Sequence, residues 1–161
     1  MIEGKELDIQ DKNIIDVDLS ITAKKKFRLD RDNNRVIELN TSDLRIINRL
    51  EEVYPKMLKF VNEANKKIAS KPDDDTSSVY GEALAHIDKE MRDLVNYVFD
   101  SDVADKAAPN GSMYDPYNGQ FMFEIIFDRL FALYEQNLKI ELDAMKKRMQ
   151  KHTSKYTKGK K

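Results

Sequence analysis

The chain has 161 residues, no cysteine and 35% charged side chains. That length suits one domain, and the missing cysteine excludes a disulfide framework, a thiolate nucleophile and a cysteine-ligated zinc or iron–sulfur site. No apolar run approaches the roughly 18 residues of a membrane span. The opening Met1-Ile2-Glu3-Gly4-Lys5-Glu6 has no apolar leader segment, so a soluble, intracellular protein without a membrane partner is expected. The net charge of −1 conceals an asymmetry: residues 1–145 carry 20 basic and 29 acidic side chains, and residues 146–161 carry eight basic ones and no acid.

In chain order, residues 1–15 are polar with isolated aliphatics and read as a flexible arm, with Ile14-Ile15 its first docked point. Val17, Leu19 and Ile21 alternate with Asp18 and Ser20, the period of a half-buried strand. The alternation resumes at Phe27 and Leu29 and again at Ile37 and Leu39. A three-residue turn at Asp32-Asn33-Asn34, with asparagine in the left-handed conformation, predicts a hairpin pairing Leu29 with Ile37 and Phe27 with Leu39. Thr41-Ser42-Asp43 offers cap oxygens for a helix. Ile46, Ile47, Leu50, Val53, Tyr54, Met57, Val61, Ala64 and Ile68 then stay on one stripe across Pro55, which predicts one kinked helix or two nearly collinear ones.

Lys71 to Ser78 has linker composition, and its Asp73-Asp74-Asp75 reads as a solvated charge run. The next helix is expected from about Val79 to Phe99, with Tyr80, Ala83, Leu84, Ile87, Met91, Leu94, Val95 and Val98 on its apolar face. Residues 100–108 suit a short helix capped by Asp100 or Ser101, and Pro109 to Gly119 a loop, since Pro-Asn-Gly, Asp-Pro and Asn-Gly all mark turns. A long last helix follows from about Gln120 to Gln150 and frays into the basic tail. The fold class is mainly α: three principal helices, the first kinked at a proline, with a small N-terminal β-hairpin or meander. The organisation is an arm (1–15), one helical domain (16–150) and a basic flexible tail (151–161).

Catalytic constellations find little support, and no enzyme, cofactor or metal is expected. His86 and His152 have no metal-ligand spacing, and His86 falls off the apolar stripe of its helix. Five glycines, none clustered, give no phosphate-cradling loop. Asp100, Asp102 and Asp105 invite a calcium loop, but its fifth, sixth and twelfth positions hold Ala104, Asp105 and Gly111, where an oxygen ligand, glycine and glutamate are needed.

The last helix is the informative element. At 100° per residue, Phe123, Phe127, Leu130, Phe131, Tyr134, Leu138, Leu142, Met145 and Met149 form one stripe. Met122, Ile126, Leu133 and Ile140 form a second, more than 100° away, and Phe121 and Ile125 add apolar surface on a third side. A helix of a small domain needs one apolar face. Either the helix is central, packed by the other helices on one side and the hairpin on the other, or its surplus meets a second copy or another protein. Both hold if the first half is buried while the stripe beyond Leu138 projects. Three or four extra large side chains would contribute about 5–8 kcal/mol before association costs. The interface candidates are therefore Met122, Ile126, Leu133, Ile140, Leu142, Met145 and Met149. The tail cations Lys151, Lys155, Lys158, Lys160 and Lys161 suit a solvated terminus or an acidic protein partner. Nucleic acid is the weaker partner, because only Tyr156 is aromatic there and the acidic body repels phosphates.

The succession Val17-Asp18-Leu19-Ser20, Lys25 to Asp30 and Glu38 to Leu44, with Val98-Phe99-Asp100, Gly111 to Pro116 and Lys151-His152-Thr153-Ser154-Lys155-Tyr156-Thr157-Lys158, resembles the tail assembly chaperones of long-tailed, non-contractile (siphovirus-type) bacteriophages and prophages. The resemblance covers residue 16 to the end. It implies a non-enzymatic, helix-rich protein that self-associates, coats the tape-measure protein and recruits tail-tube subunits. Such a protein works in the host bacterial cytoplasm and is absent from the mature virion. A small connector retained in the virion, or a nucleic-acid adaptor using the basic tail, are the alternative functions.

Overall fold

The structure is a computed structural model that describes residues 12–70 and 79–159, with side chains left aside at Thr22, Leu142, Met145, Met149, Gln150 and 152–159. The described chain is mainly α with a small N-terminal hairpin. The elements are β1 (Lys25–Arg28), β2 (Val36–Leu39), α1 (Arg45–Ser70), α2 (Val79–Phe99), α3 (Ala104–Ala107), β3 (Pro116–Tyr117), β4 (Gln120–Phe121) and α4 (Met122–Gly159). The expected linker, 71–78, lies outside the described residues, as do residues 1–11 of the arm.

The hairpin forms, but two residues out of the expected register: Phe27 pairs with Ile37 and Lys25 with Leu39. The turn explains the slip. Asp30 and Arg31 both take left-handed backbone (φ 52° and 59°), and Asp32 N donates to Leu29 O at 2.9 Å, giving a primed turn whose twist suits a hairpin. A second turn, from Arg35 N to Asp32 O, takes up the asparagines. An even slip preserves facing, so Phe27, Leu29, Ile37 and Leu39 still share one side. The expected strand at 17–21 does not form. Ser20–Thr22 is a 3-10 turn, started by Ser20 N donating to Asp18 Oδ1 at 2.9 Å. Ile14 and Ile15 are exposed rather than docked, and Val17, Leu19 and Ile21 are exposed too.

Asp43, not Thr41 or Ser42, caps α1: its Oδ1 accepts from Arg45 N at 3.0 Å. The same carboxylate pairs with Arg45 and, at 2.9 Å, with Arg49, whose Nε donates to Val98 O at the end of α2. Burial alone would raise the Asp43 pKa. The hydrogen bonds from Arg45 and Arg49 outweigh it and lower the group from the usual 3.8 to about 2. Helix α1 runs unbroken through Pro55, which sits on the exposed face, where the carbonyl it leaves unbonded reaches water. Its buried side is Ile46, Val53, Met57, Val61 and Ala64, a narrower set than the full stripe, since Ile47 and Ile68 stay exposed. These residues meet Ile87, Met91, Val95 and Val98 of α2, which spans the expected range and buries the expected face.

At the end of α2, Asp100 takes left-handed backbone (φ 49°), with Asp100 N bonded to Tyr97 O and Ser101 N to Asn96 O. That is the paired-bond terminus usually made by glycine. The cap of α3 is a correction: Asn96 Oδ1, from α2, accepts from both Val103 N and Ala104 N at 2.8 Å, while Asp100 and Ser101 do not cap it. Arg92 ties this region down, donating to Asp88 (2.8 Å), Asp105 (2.9 Å) and Gly111 O (2.8 Å). The stretch expected as plain loop contains a small hairpin, β3–β4, turned at Asn118-Gly119 with both residues at positive φ.

Replacing Asp43 by asparagine keeps a capping oxygen and removes the charge. Asp43→Asn is expected to cost about 2 kcal/mol at pH 7. Because the folded pKa is depressed, that contribution is present above the unfolded value and disappears as the pH falls from about 4 to about 2. Urea unfolding of both proteins across that range checks it: the gap should close on acidification.

Candidate functional site

Helix α4 is 38 residues long, about 57 Å at 1.5 Å per residue. Its first turn is held by the preceding loop. Met122 N donates to Asp115 O, Phe123 N to Met113 O, and Phe121 N to Glu124 Oε1, the returning half of a capping box. Glu124 also accepts from Tyr54 OH of α1 at 2.8 Å, which raises the Tyr54 phenol pKa.

The first stripe of α4 enters the core. Phe123, Phe127, Leu130 and Tyr134 are buried, with Phe99 of α2 packed at 5.9 Å from Phe127 and 6.1 Å from Tyr134, and Tyr54 at 6.0 Å from Phe123. Burial pushes the Tyr134 phenol up to about 12. The second stripe lies under the hairpin. Phe27 and Leu29 of the hairpin and Met122 and Leu133 of α4 are half-buried against the core. The hairpin does not fill this side. One recess is lined by Leu29, Arg35, Met122, Ile125, Ile126 and Arg129, and another by Lys25, Phe27, Leu133, Gln136, Asn137 and Ile140. Each is about 210 Å³, below the 300–1,000 Å³ usual for a small-molecule pocket and of a size for individual side chains.

The seven interface candidates therefore separate. Ile126 is 5% exposed and belongs to the core, a correction to its role as a docking residue. Met122 and Leu133 are half-buried recess walls, and Ile140 is 62% exposed. Positions 142, 145 and 149 lie further along the same helix. Among the described side chains Leu138 is the last packed on the core, and every one described after it is exposed. The helix does not end near Gln150: it continues through Gly159, so Lys151, Lys155 and Lys158 sit on helical backbone, while Lys160 and Lys161 lie outside the described residues. The segment expected to fray extends the rod. About 31 Å of helix, from residue 139 to 159, stands beyond the packed body.

The sequence reading did not identify Lys25, Phe27, Gln136 and Asn137 as recess walls. The recess arises where the hairpin meets α4 about a hundred residues on, and no local pattern signals it. Asn137 Nδ2 bonds Thr41 O (3.3 Å) and Ser42 Oγ (3.1 Å), fixing that junction. His86 is exposed, 4.0 Å from Glu90. Among the described residues no group of three or more histidine and acidic side chains is arranged to hold a metal, and no helix is long and apolar enough to cross a membrane.

No protein-family model matches the chain, and no curated protein or solved structure matches it either.

Two substitutions on the same angular stripe should behave oppositely. Ile126→Asp buries an unpaired carboxylate and is expected to cost about 4 kcal/mol or more, enough to unfold most of the population. Ile140→Asp is expected to change stability by less than about 0.5 kcal/mol. Circular dichroism melts of the two variants beside the parent decide between them.

Proposed function

We propose that the chain is a non-enzymatic tail assembly chaperone of a siphovirus-type phage or prophage, which binds the tape-measure protein and recruits tail-tube subunits. The observation that carries this reading is the part of α4 beyond Leu138: helical backbone clear of the body, with Ile140 exposed and leucine or methionine at positions 138, 142, 145 and 149. A tape-measure protein presents long apolar helices, and a client of that kind is bound by laying helix against helix at i, i+4, i+7 spacing. Methionine suits a client whose sequence varies along its length, because an unbranched thioether adapts to uneven surfaces. The resemblance to the chaperone family, carried by the strings from Val17 to Lys158, supports the same reading.

On this reading the protein acts in the host cytoplasm, self-associates and leaves before the virion is complete. The acidic body keeps a client complex soluble, while the basic helix end meets acidic surfaces on the client or the tube subunit. A connector retained in the particle and a nucleic-acid adaptor are the competing functions.

Co-expression with the tape-measure gene of the same cluster tests the proposal. The client is expected to become soluble and to co-purify. Met149→Asp, placed about ten residues past the packed body, should leave the melt unchanged and lower client recovery about tenfold. Equal recovery with Met149→Asp would remove the helix from the mechanism. Mass spectrometry of purified virions should find the protein absent; stoichiometric presence would make it a connector. Retardation of random DNA that disappears on deleting residues 146–161 would favour the adaptor.

A further inference from the structure

The segment before the hairpin is the part of the described chain that its own packing explains least. Ile15, Val17 and Ile21 are 84%, 74% and 91% exposed, a concentration of aliphatic surface that soluble proteins rarely leave bare. Ile15 and Val17 alternate with Asp16 and Asp18, the pattern of a strand with one apolar face.

A matching edge lies close by in the sequence. Among the described residues the sheet of β1 and β2 has two strands, so each has one edge outside the ladder. Leu29 N donates to Arg35 O at 2.9 Å, and the register makes Lys25, Phe27 and Leu29 the residues that exchange bonds with β2. The alternation of an antiparallel ladder then turns the N–H and C=O of Lys26 and Arg28 away from β2. The opposite edge is engaged, since Val36 O on β2 accepts from Lys106 Nζ at 2.8 Å. Among the described residues of one protomer, 12–24 make no ladder with β1: the 3-10 turn at Ser20–Thr22 intervenes, and Lys24 is fastened to Asp100, its Nζ donating to the carbonyl and standing 3.9 Å from the carboxylate.

We propose that residues 15–18 of a second copy add as a strand to the outer edge of β1, exchanged reciprocally between two protomers. Both phases of the alternation match. Ile15 and Val17 fall on the side of Phe27, over the recess whose wall includes the exposed Ile140. Asp16 and Asp18 fall on the side of Lys26 and Arg28, both exposed cations. A slip of one residue would set the aliphatics beside Lys26 and Arg28 and the carboxylates over the recess, where Lys25 is one cation beside Phe27, Leu133 and Ile140, so hydropathy and charge favour the same parity. The edge supplies main-chain hydrogen bonds and the recess supplies selectivity, the division of labour in strand addition. Self-association is expected of the chaperone reading, but this contact stands on the strand edge and the charge match and needs no client.

Sedimentation velocity of the full chain tests it. At tens of micromolar the parent should be a dimer. Val17→Asp should be monomeric and should melt as the parent does when diluted to monomer, because the residue is exposed in the protomer and only the dimer's contribution is lost. Asp16→Lys should weaken the dimer about tenfold in about 0.05 M salt, and adding Lys26→Glu to the same chain should restore it. The Lys26 and Arg28 amides should gain exchange protection as concentration rises. A parent that stays monomeric overturns the proposal, and protection of those amides in the monomer would assign the edge to the chain's own arm. A Val17→Asp protein that dimerises as well as the parent also overturns it. No client enters these measurements, so their failure is separate from failure of the tape-measure reading.

Discussion

The fold depends on one helix that is apolar around most of its circumference. From Phe123 to Tyr134 one side of α4 carries four buried residues, three of them aromatic, and another carries Met122, Ile126 and Leu133. Neither side is stable if left wholly bare, so this part of the helix sits between two covers, the second of them partial. Helices α1 and α2 supply the first, through Phe99 and Tyr54. The two-stranded hairpin supplies the second. A lone hairpin is marginal in water, so this one exists because Ile37 and Leu39, both buried, have α4 and its neighbours to pack against. Each element is conditional on the other.

Polar groups hold the covers in place at their ends. Arg35 donates from β2's side to Lys106 O (2.7 Å) and Ala107 O (3.0 Å), while Lys106 returns a bond to Val36 O, so the hairpin and α3 are laced in both directions. Arg49 joins the start of α1 to the Val98 carbonyl near the end of α2, and Asp88 accepts from Met113 N, placing the loop that caps α4. These bonds go to backbone groups that a helix end or a loop leaves unpaired, where an unmet partner costs about 1–3 kcal/mol. The irregular stretch from Asp100 to Phe121 is thus a fitted bracket that sets where α4 begins.

Much of this was legible in the sequence, and what was not has physical reasons. Helix α2 was readable because its period, its boundaries and its burial agree. The hairpin was readable as a facing pattern but not as a register, because Asp30 and Arg31 took the left-handed positions that the asparagines would fill more easily. The alternation at Val17, Leu19 and Ile21 marks strand potential; whether a strand forms depends on a partner edge outside the segment. The candidate site shows the same division. Angular arithmetic places Ile126 and Ile140 on one stripe, yet one is core and the other bare. Angle around a helix is written in the sequence; the distance the body reaches along the axis is a tertiary quantity.

That distance gives α4 two different kinds of stability. Up to Leu138 it is held by packing. Beyond it, helical backbone must persist in water with lysines spaced four apart at 147, 151 and 155, and each such like-charge pair costs about 0.2–0.5 kcal/mol. Cations near a helix carboxyl end recover part of this by interacting with the dipole, but that effect fades within the last turn. Packing against a partner is what usually sustains a helix of this length, since propensity alone is marginal. A surface offering apolar side chains and negative charge would stabilise the outer helix and be bound by it in the same event. On the proposed function, the eight positive charges after Asp143 would set which partner surface is admitted, and the apolar positions how tightly it is held.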